Sequence, residues 1–328
     1  MQSGNSSVKR VVGLLLLLIC LSPGVNAQYT EVINSNRPGL AVSAYALGSN
    51  VLQAEIGGFY EIQDHSLLNT ESSIIGSDFA LRYGLYFETL EVTYEGTFIR
   101  QDIQFNALGG QSDVRSNFTR NRLGLKLLVF DPYKNPKRSK PNLYSWRKNN
   151  LFQWKNLIPA VSLYGGANFT IGDNPFYPED PLLSYRAMVA TQSRLTPKMV
   201  LIGNFAYDRI STDFPEYSYL VSISHSLRNP RWSIFVENQG IQSDRYADVL
   251  FRTGFAHLFN ADFQVDFNIG ASIKTTPSRY FASAGMSYRI DRHRDRLVKK
   301  KEASPTSNKR IKKRGSRKKR NKARKSDF

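Results

Sequence analysis

The stretch Asp262-Phe263-Gln264-Val265-Asp266-Phe267-Asn268-Ile269-Gly270-Ala271-Ser272-Ile273-Lys274 repeats with a period of two. Phe263, Val265, Phe267, Ile269, Ala271 and Ile273 share one parity. Polar, charged or glycine residues hold the other. Successive side chains of a strand point to opposite faces, so this segment carries one apolar and one polar face. In a soluble sheet such a strand is half-buried. Behind an export signal, and repeated along a chain with short turns, it is a barrel strand with lipid outside and water or charge inside.

Residues 1–27 read as that export signal. Lys9 and Arg10 form a basic n-region, residues 11–21 are apolar, and Pro23-Gly24 breaks the run. Val25-Asn26-Ala27 then supplies small residues for cleavage before Gln28. The apolar run is too short to span a bilayer comfortably as an anchor. Cys20 is the single cysteine, and the bulky Ile19 before it disfavours lipidation there. Cleavage after Ala27 leaves a chain without cysteine, which excludes disulfides and Cys-based metal sites. No later apolar run is long enough for a membrane helix. A membrane-embedded chain of this kind must close into a barrel, because an open sheet edge cannot sit in lipid.

Charge is unevenly spread. Residues 291–328 contain 18 Lys+Arg against 4 Asp+Glu, a net +14. Subtracting this and the +2 of the signal from the chain's +18 leaves +2 for residues 28–290. The strongly basic character therefore belongs to the tail and not to the folded part.

Alternation and turn signals divide the folded part into about twelve strands, after an extended leader at 28–50. In 51–61, Leu52, Ala54, Ile56, Gly58 and Tyr60 oppose Gln53, Glu55 and Glu61. In 78–86, Phe79, Leu81, Tyr83 and Leu85 face out and Arg82 faces in. In 121–129, Leu123, Leu125, Leu127 and Val129 oppose Arg122 and Lys126. Tight connections near 86–90, 195–200, 227–232 and 259–263 alternate with longer polar loops near 63–77, 102–116, 172–183, 209–216, 242–245 and 275–278. Outer-membrane barrels show that asymmetry, and an even strand count puts both termini on the periplasmic side. Residues 131–156 are the misfit, long, basic and aromatic where a short turn is expected. They read as a periplasmic excursion with a small interfacial helix or hairpin. Tyr83, Tyr86, Tyr94, Tyr164, Tyr207, Tyr217, Tyr219, Trp232, Tyr280 and Tyr288 fall mostly near strand ends, at headgroup level. A secreted β-sandwich explains the alternation but not the loop rhythm or the aromatic ends. The expected fold is an all-β, antiparallel up-and-down transmembrane barrel at 51–290, followed by a disordered basic periplasmic tail at 291–328.

The inward parity collects both signs of charge. Candidate lumen-lining residues are Glu55, Arg82, Glu91, Glu95, Arg122, Lys126, Arg186, Arg194, Glu237, Arg252, Asp266 and Lys274. Charges in a narrow barrel must be paired or wet. Such a lining either packs the interior with salt bridges or selects a polar or amphipathic solute; no ring of one sign stands out. Signals for catalysis, metal ligands or a cofactor are missing, and no catalytic residue is assigned. His65, His225, His257 and His293 are scattered, and no nucleophile elbow, phosphate loop or dinucleotide fingerprint occurs. Ser224-His225-Ser226 is where an outer-membrane hydrolase would place its chemistry, although a lone histidine between serines is more often a solvated residue near a turn.

In the tail, Lys299, Lys300 and Lys301, then Lys312, Lys313 and Arg314, then Arg317, Lys318, Lys319 and Arg320 form basic clusters that self-repel and bury nothing. Alone they read as a nucleic-acid tail, but an exported chain meets no nucleic acid, and none is expected as a partner. Anionic lipid headgroups, acidic envelope proteins or wall polymers remain as partners. A merely solubilising tail is the other reading.

Ser35-Asn36-Arg37-Pro38-Gly39, running through Ser43 to Val51-Leu52-Gln53-Ala54-Glu55 and Gly57, resembles the start of a known barrel family. So do Asn121-Arg122-Leu123-Gly124-Leu125-Lys126 and Leu157-Ile158-Pro159-Ala160-Val161-Ser162-Leu163. These segments are similar to the phenol-degradation (MetA-pathway type) outer-membrane transporter family of Gram-negative bacteria. The resemblance covers roughly residues 34–290. It implies an outer-membrane barrel in contact with lipid and associated with uptake of aromatic compounds. The chain departs from that pattern in its tail and in residues 131–156. Two functions are therefore expected to compete. One is a channel for a small, aromatic or hydrophobic solute. The other is a non-transporting barrel subunit of a secretion or barrel-assembly machine, tethered by its tail.

Overall fold

The computed structural model describes residues 32–106, 111–134 and 142–293. The predicted signal and the basic tail clusters lie outside these residues.

Twelve antiparallel strands close into one barrel in which each strand pairs with its sequence neighbours. The first four are β1 (Val51–His65), β2 (Thr70–Gly84), β3 (Leu90–Phe105) and β4 (Gln111–Phe130). Then come β5 (Ala160–Phe169), β6 (Leu183–Thr196), β7 (Met199–Ile210) and β8 (Glu216–Ser226). The last four are β9 (Trp232–Ser243), β10 (Ala247–Asn260), β11 (Phe263–Ser272) and β12 (Ser278–Asp291). The seam pairs β1 with β12 in unbroken register from Val51↔Asp291 to Asp64↔Ser278. Closure leaves no edge strand, which is what the lipid phase demands.

The period-two pattern sets the two faces. In β11, Val265, Phe267 and Ile269 are exposed on the outer surface, whereas Asp266 and Asn268 are buried within. Leu123 and Leu125 alternate in the same way with Arg122 and Lys126 in β4. Buried charge inside and bare apolar side chains outside invert a soluble protein and identify a membrane-spanning wall. Large outer rings cover bare glycines across the ladder. Phe79 lies on Gly96 and Tyr219 on Gly240, each directly opposite its partner.

The first four strands are longer than the sequence pattern predicts. Residues 63–77 and 102–116, read as loops, are mostly strand among the described residues: β1 runs to His65, β2 starts at Thr70, β3 runs to Phe105 and β4 starts at Gln111. β4 runs for 20 residues and β3 for 16, whereas about 9–11 tilted residues cross the hydrocarbon. In this excess, polar residues occupy both parities, so the ladder hydrogen bonds hold a strand that no alternation announces, as at the pairs Glu71↔Gln104 and Ser73↔Asp102. The tight–long rhythm is correspondingly weaker. At the end distant from Val51 and Asp291, only residues 170–182 form a long loop.

At the end that bears both ladder termini, 131–159 is the long connection. It contains a 3-10 turn (Pro132–Lys134), a short helix α1 (Trp146–Asn150) and a second 3-10 turn (Trp154–Leu157). One aromatic assignment is corrected. Tyr164 does not belong to the outer girdle. It is buried in the lumen, its ring lying against Gly124 and Gly166, because its parity in β5 is that of Ala160 and Ser162.

Candidate functional site: a plugged lumen

The leader does not precede the barrel as a free extension. It enters the lumen at Ile33, whose amide donates to the Ala261 carbonyl at 2.8 Å in the β10–β11 turn. It turns among mid-barrel side chains near residues 37–41 and returns to the same end at Asn50, whose amide donates to the Gly84 carbonyl at 3.0 Å. The leader is a hairpin-like plug.

Its tip is held by Arg37. The guanidinium donates to both carboxylate oxygens of Asp266 (β11) at 3.1 Å and 3.2 Å, pairs with Asp78 (β2), and donates to Ser283 Oγ (β12) at 3.1 Å. It lies across Gly57 and Gly285, which face each other across the β1–β12 seam. A Cβ at either glycine would fall within 2.4 Å of the guanidinium. The two glycines are therefore the floor of the Arg37 site, where only hydrogen leaves room.

The rest of the leader offers main-chain groups, and the wall supplies their partners. Glu237 (β9) accepts from the amides of Leu40 and Ala41. Asn204 (β7) bonds both polar groups of Val42, each at 2.8 Å. Gln192 (β6) accepts from the Ser43 hydroxyl at 2.6 Å and from the Ala44 amide. Lys126 (β4) donates to the carbonyls of Ser43 and Tyr45, both at 3.1 Å. Glu91 (β3) accepts from the Leu47 amide at 2.9 Å. Arg82 (β2) donates to the Asn34 carbonyl, and Gln264 and Asn268 (β11) to those of Arg37 and Pro38. An irregular segment in a lumen has no ladder of its own, so side chains must satisfy its backbone.

These same wall groups pair with each other. Arg82 bridges Glu91 at 2.7 Å and Glu55 at 3.2 Å, and Lys126 meets Glu91 at 3.3 Å. Arg252 meets Glu237 at 2.6 Å. Further from the termini, Arg122 and Arg186 converge on Asp208, each at 2.6 Å, and Arg122 reaches Glu95 at 3.3 Å. Ten of the twelve sequence-designated lining residues thus lie in paired interior positions, as these contacts show. Arg194 sits at the terminal mouth, its guanidinium 5.3 Å from the Tyr45 ring and 5.1 Å from that of Tyr133. Lys274 lies beyond the end of β11, exposed at the opposite rim, with its ammonium 5.7 Å from the Tyr246 ring. Burial, with Asp131 alongside, pushes the Tyr45 hydroxyl well above its ordinary range, so it remains a donor to Asp131 at 3.3 Å.

Sequence reasoning missed Arg37, Asn204, Gln192, Arg279 and Arg289. Arg279 and Arg289 had a legible signal, since they share the inward parity of β12. Arg279 meets Glu61 at 2.6 Å and Arg289 meets Asp262 at 2.8 Å. Arg37 had none, because nothing local in the leader says that it folds inward.

Above the plug, a cavity of about 410 Å³ is floored by Arg37, Pro38 and Leu40. Its walls mix the rings of Phe59, Tyr164 and Phe281 with Glu95, Arg122, Arg186, Asp208 and Arg252. Residues 170–182 reach across the distal rim. There Asp180 pairs with Arg209 and, at 2.7 Å, with Arg245. The Arg209 guanidinium stacks 3.6 Å over Tyr177. The histidines are dispersed. His225 and His257 lie on the outer face near the terminal end, His65 lies at the distal turn, and His293 lies beside Ser49.

A closed barrel with an apolar outer wall and a charged, plugged interior is a transmembrane barrel of the outer-membrane type. The family model described as "Putative MetA-pathway of phenol degradation" matches residues 35–290, and the chain belongs to that family. The match spans the leader as well as the wall. No curated relative matches the sequence. Among solved structures, an outer membrane channel from Pseudomonas putida F1 is similar at 11% identity, covering 79% of this chain and 100% of that one, with a TM-score of 0.49. The KdgM porin in complex with disordered oligogalacturonate is similar at 9% identity, covering 72% and 99%, with a TM-score of 0.43. The CymD monoaromatic hydrocarbon channel is similar at 10% identity, covering 75% and 90%, with a TM-score of 0.38.

Proposed function

We propose that the protein is an outer-membrane channel for a small solute, with both ladder termini in the periplasm, and that the plugged lumen is its closed state. The observation that carries this reading is the manner in which the leader is held. It is fixed by exchangeable polar contacts from nine of the twelve strands, the eight above and β1, whose Glu55 accepts from the Asn36 amide at 3.3 Å, rather than by a large apolar core. Water can replace such contacts one by one, so the hairpin can leave without unfolding the wall. The cavity above it mixes aromatic rings with ionic groups, which suits a small aromatic solute bearing a polar substituent. The family description supports the same substrate class.

Planar-bilayer recording tests this proposal. The full-length barrel should open rarely, and a variant lacking residues 34–47 should conduct steadily. A folded, inserted leaderless barrel that passes no current would overturn the reading.

A further inference from the structure

We propose that residues 142–158, in the β4–β5 connection, form an interfacial anchor that lies on the phospholipid leaflet at the terminal end of the barrel. The segment presents bare apolar side chains outside any strand. Tyr144 is 99% exposed, and Trp146 and Trp154 are each 80% exposed. Leu143, Leu151 and Phe152 are exposed as well, and Phe152 meets Trp154 edge to face at 5.3 Å. Such rings cost free energy in water and settle where one part of the ring is apolar and the other wet.

The segment has a defined shape. Asn142 and Asn149 bond reciprocally at 2.7 Å and 2.9 Å, and Asn150 Nδ2 donates to the Trp146 carbonyl at 2.9 Å. It is also fastened to the barrel. Ser193 donates to the Leu157 carbonyl at 2.9 Å, and the Tyr133 hydroxyl, which accepts from the Arg194 amide at 2.9 Å, donates to the Asn156 carbonyl at 3.5 Å.

Its position and charge select a lipid surface over other occupants. It runs into β5 through Leu157 and Ile158, both exposed, and β4 ends before the connection in Val129 and Phe130, also exposed. At the same end of the barrel, Trp232, His257, Phe259, Phe263 and Tyr288 form a chain of contacting rings on the outer surface, marking headgroup level. Residues 132–159 contain no Asp or Glu and seven Lys or Arg, with Arg147, Lys148 and Lys155 inside 142–158. Aromatic side chains with interspersed cations and no acid are the composition that binds an anionic interface.

The test uses the full chain with Trp232→Phe, which leaves Trp146 and Trp154 as the only tryptophans. It is reconstituted in vesicles of phosphatidylcholine with and without phosphatidylglycerol. Headgroup-proximal nitroxide lipids should quench the two tryptophans more than deep-labelled lipids do. Aqueous iodide should quench them several-fold less than it quenches a free tryptophan derivative, and phosphatidylglycerol should increase that protection. Replacing Arg147, Lys148 and Lys155 together by Gln should markedly reduce the phosphatidylglycerol effect. If Trp232→Phe disturbs insertion, the wild-type chain compared with Trp146→Phe/Trp154→Phe isolates the same signal by difference. Full iodide access with no lipid quenching would overturn the proposal and leave the face to a protein partner. Both leaflets of these vesicles are alike, so the outcome does not depend on orientation or on channel activity.

Discussion

Arg37 is the residue on which the closed lumen turns. Its charge is stripped of water, and two carboxylates and a hydroxyl replace that water. Removing one member of a buried pair leaves the other uncompensated at a cost of about 3–5 kcal/mol. Arg37→Ala should therefore free the hairpin and raise open probability in bilayer recordings, while the barrel still inserts. Arg37→Gln with Asp266→Asn should be milder than Arg37→Ala, because the fully buried carboxylate is neutralised and only the partly exposed Asp78 loses its partner; a thermal-unfolding comparison of the two checks this. The glycine floor makes a separate prediction. Gly285→Ala places a methyl where the guanidinium lies, and it should open the channel as Arg37→Ala does although no charge changes. Lys126→Met removes the donor to two leader carbonyls and one of the two cations on Glu91. It should lower the temperature at which the folded band shifts on semi-native electrophoresis.

Two elements behave differently from their sequence appearance. The leader has no alternation to read, and its main chain is solvated by the wall rather than by water. Its order should thus depend on the wall. Amide exchange across residues 34–47 should be faster than in β1, because local opening breaks few apolar contacts; equal protection of the two would contradict a removable plug. The β1–β4 extensions show the opposite case. Their strand state rests on pairing from Thr70↔Phe105 through Asp102↔Val114, which no single-segment pattern displays. The distal 170–182 loop is tied down through Asp180. Asp180→Asn should weaken both arginine contacts and raise the rate at which a leaderless barrel admits solute, as read in liposome swelling.

At the scale of the molecule, ladder closure and interior ion pairing act on different parts. Closure satisfies the wall's backbone regardless of what fills the lumen, so the wall is expected to survive loss of the plug. The basic clusters of the tail follow the last strand in sequence and lie outside the described residues. Truncation after Asp291 should leave insertion and conductance unchanged, and comparison of co-purifying envelope proteins from full-length and truncated chains would reveal whether the tail is a tether.

The amino-acid sequence by itself determined the wall. Alternation in 262–274 and its counterparts sets which side chains face lipid, because a strand's period is a local property of the backbone. From it followed the strand number, the up-and-down order and the inward parity of Glu55, Arg82, Glu91, Lys126 and Asp266. Tertiary structure alone decided what those charges are for. Arg37 meets Asp266 across a separation of 229 residues, and Asn204 meets Val42 across 162. Such pairings depend on closing the ring and folding the leader into it. A salt-bridged lining and a plug socket have the same inward sequence. They differ only in whether the main chain of another segment occupies the space between the walls.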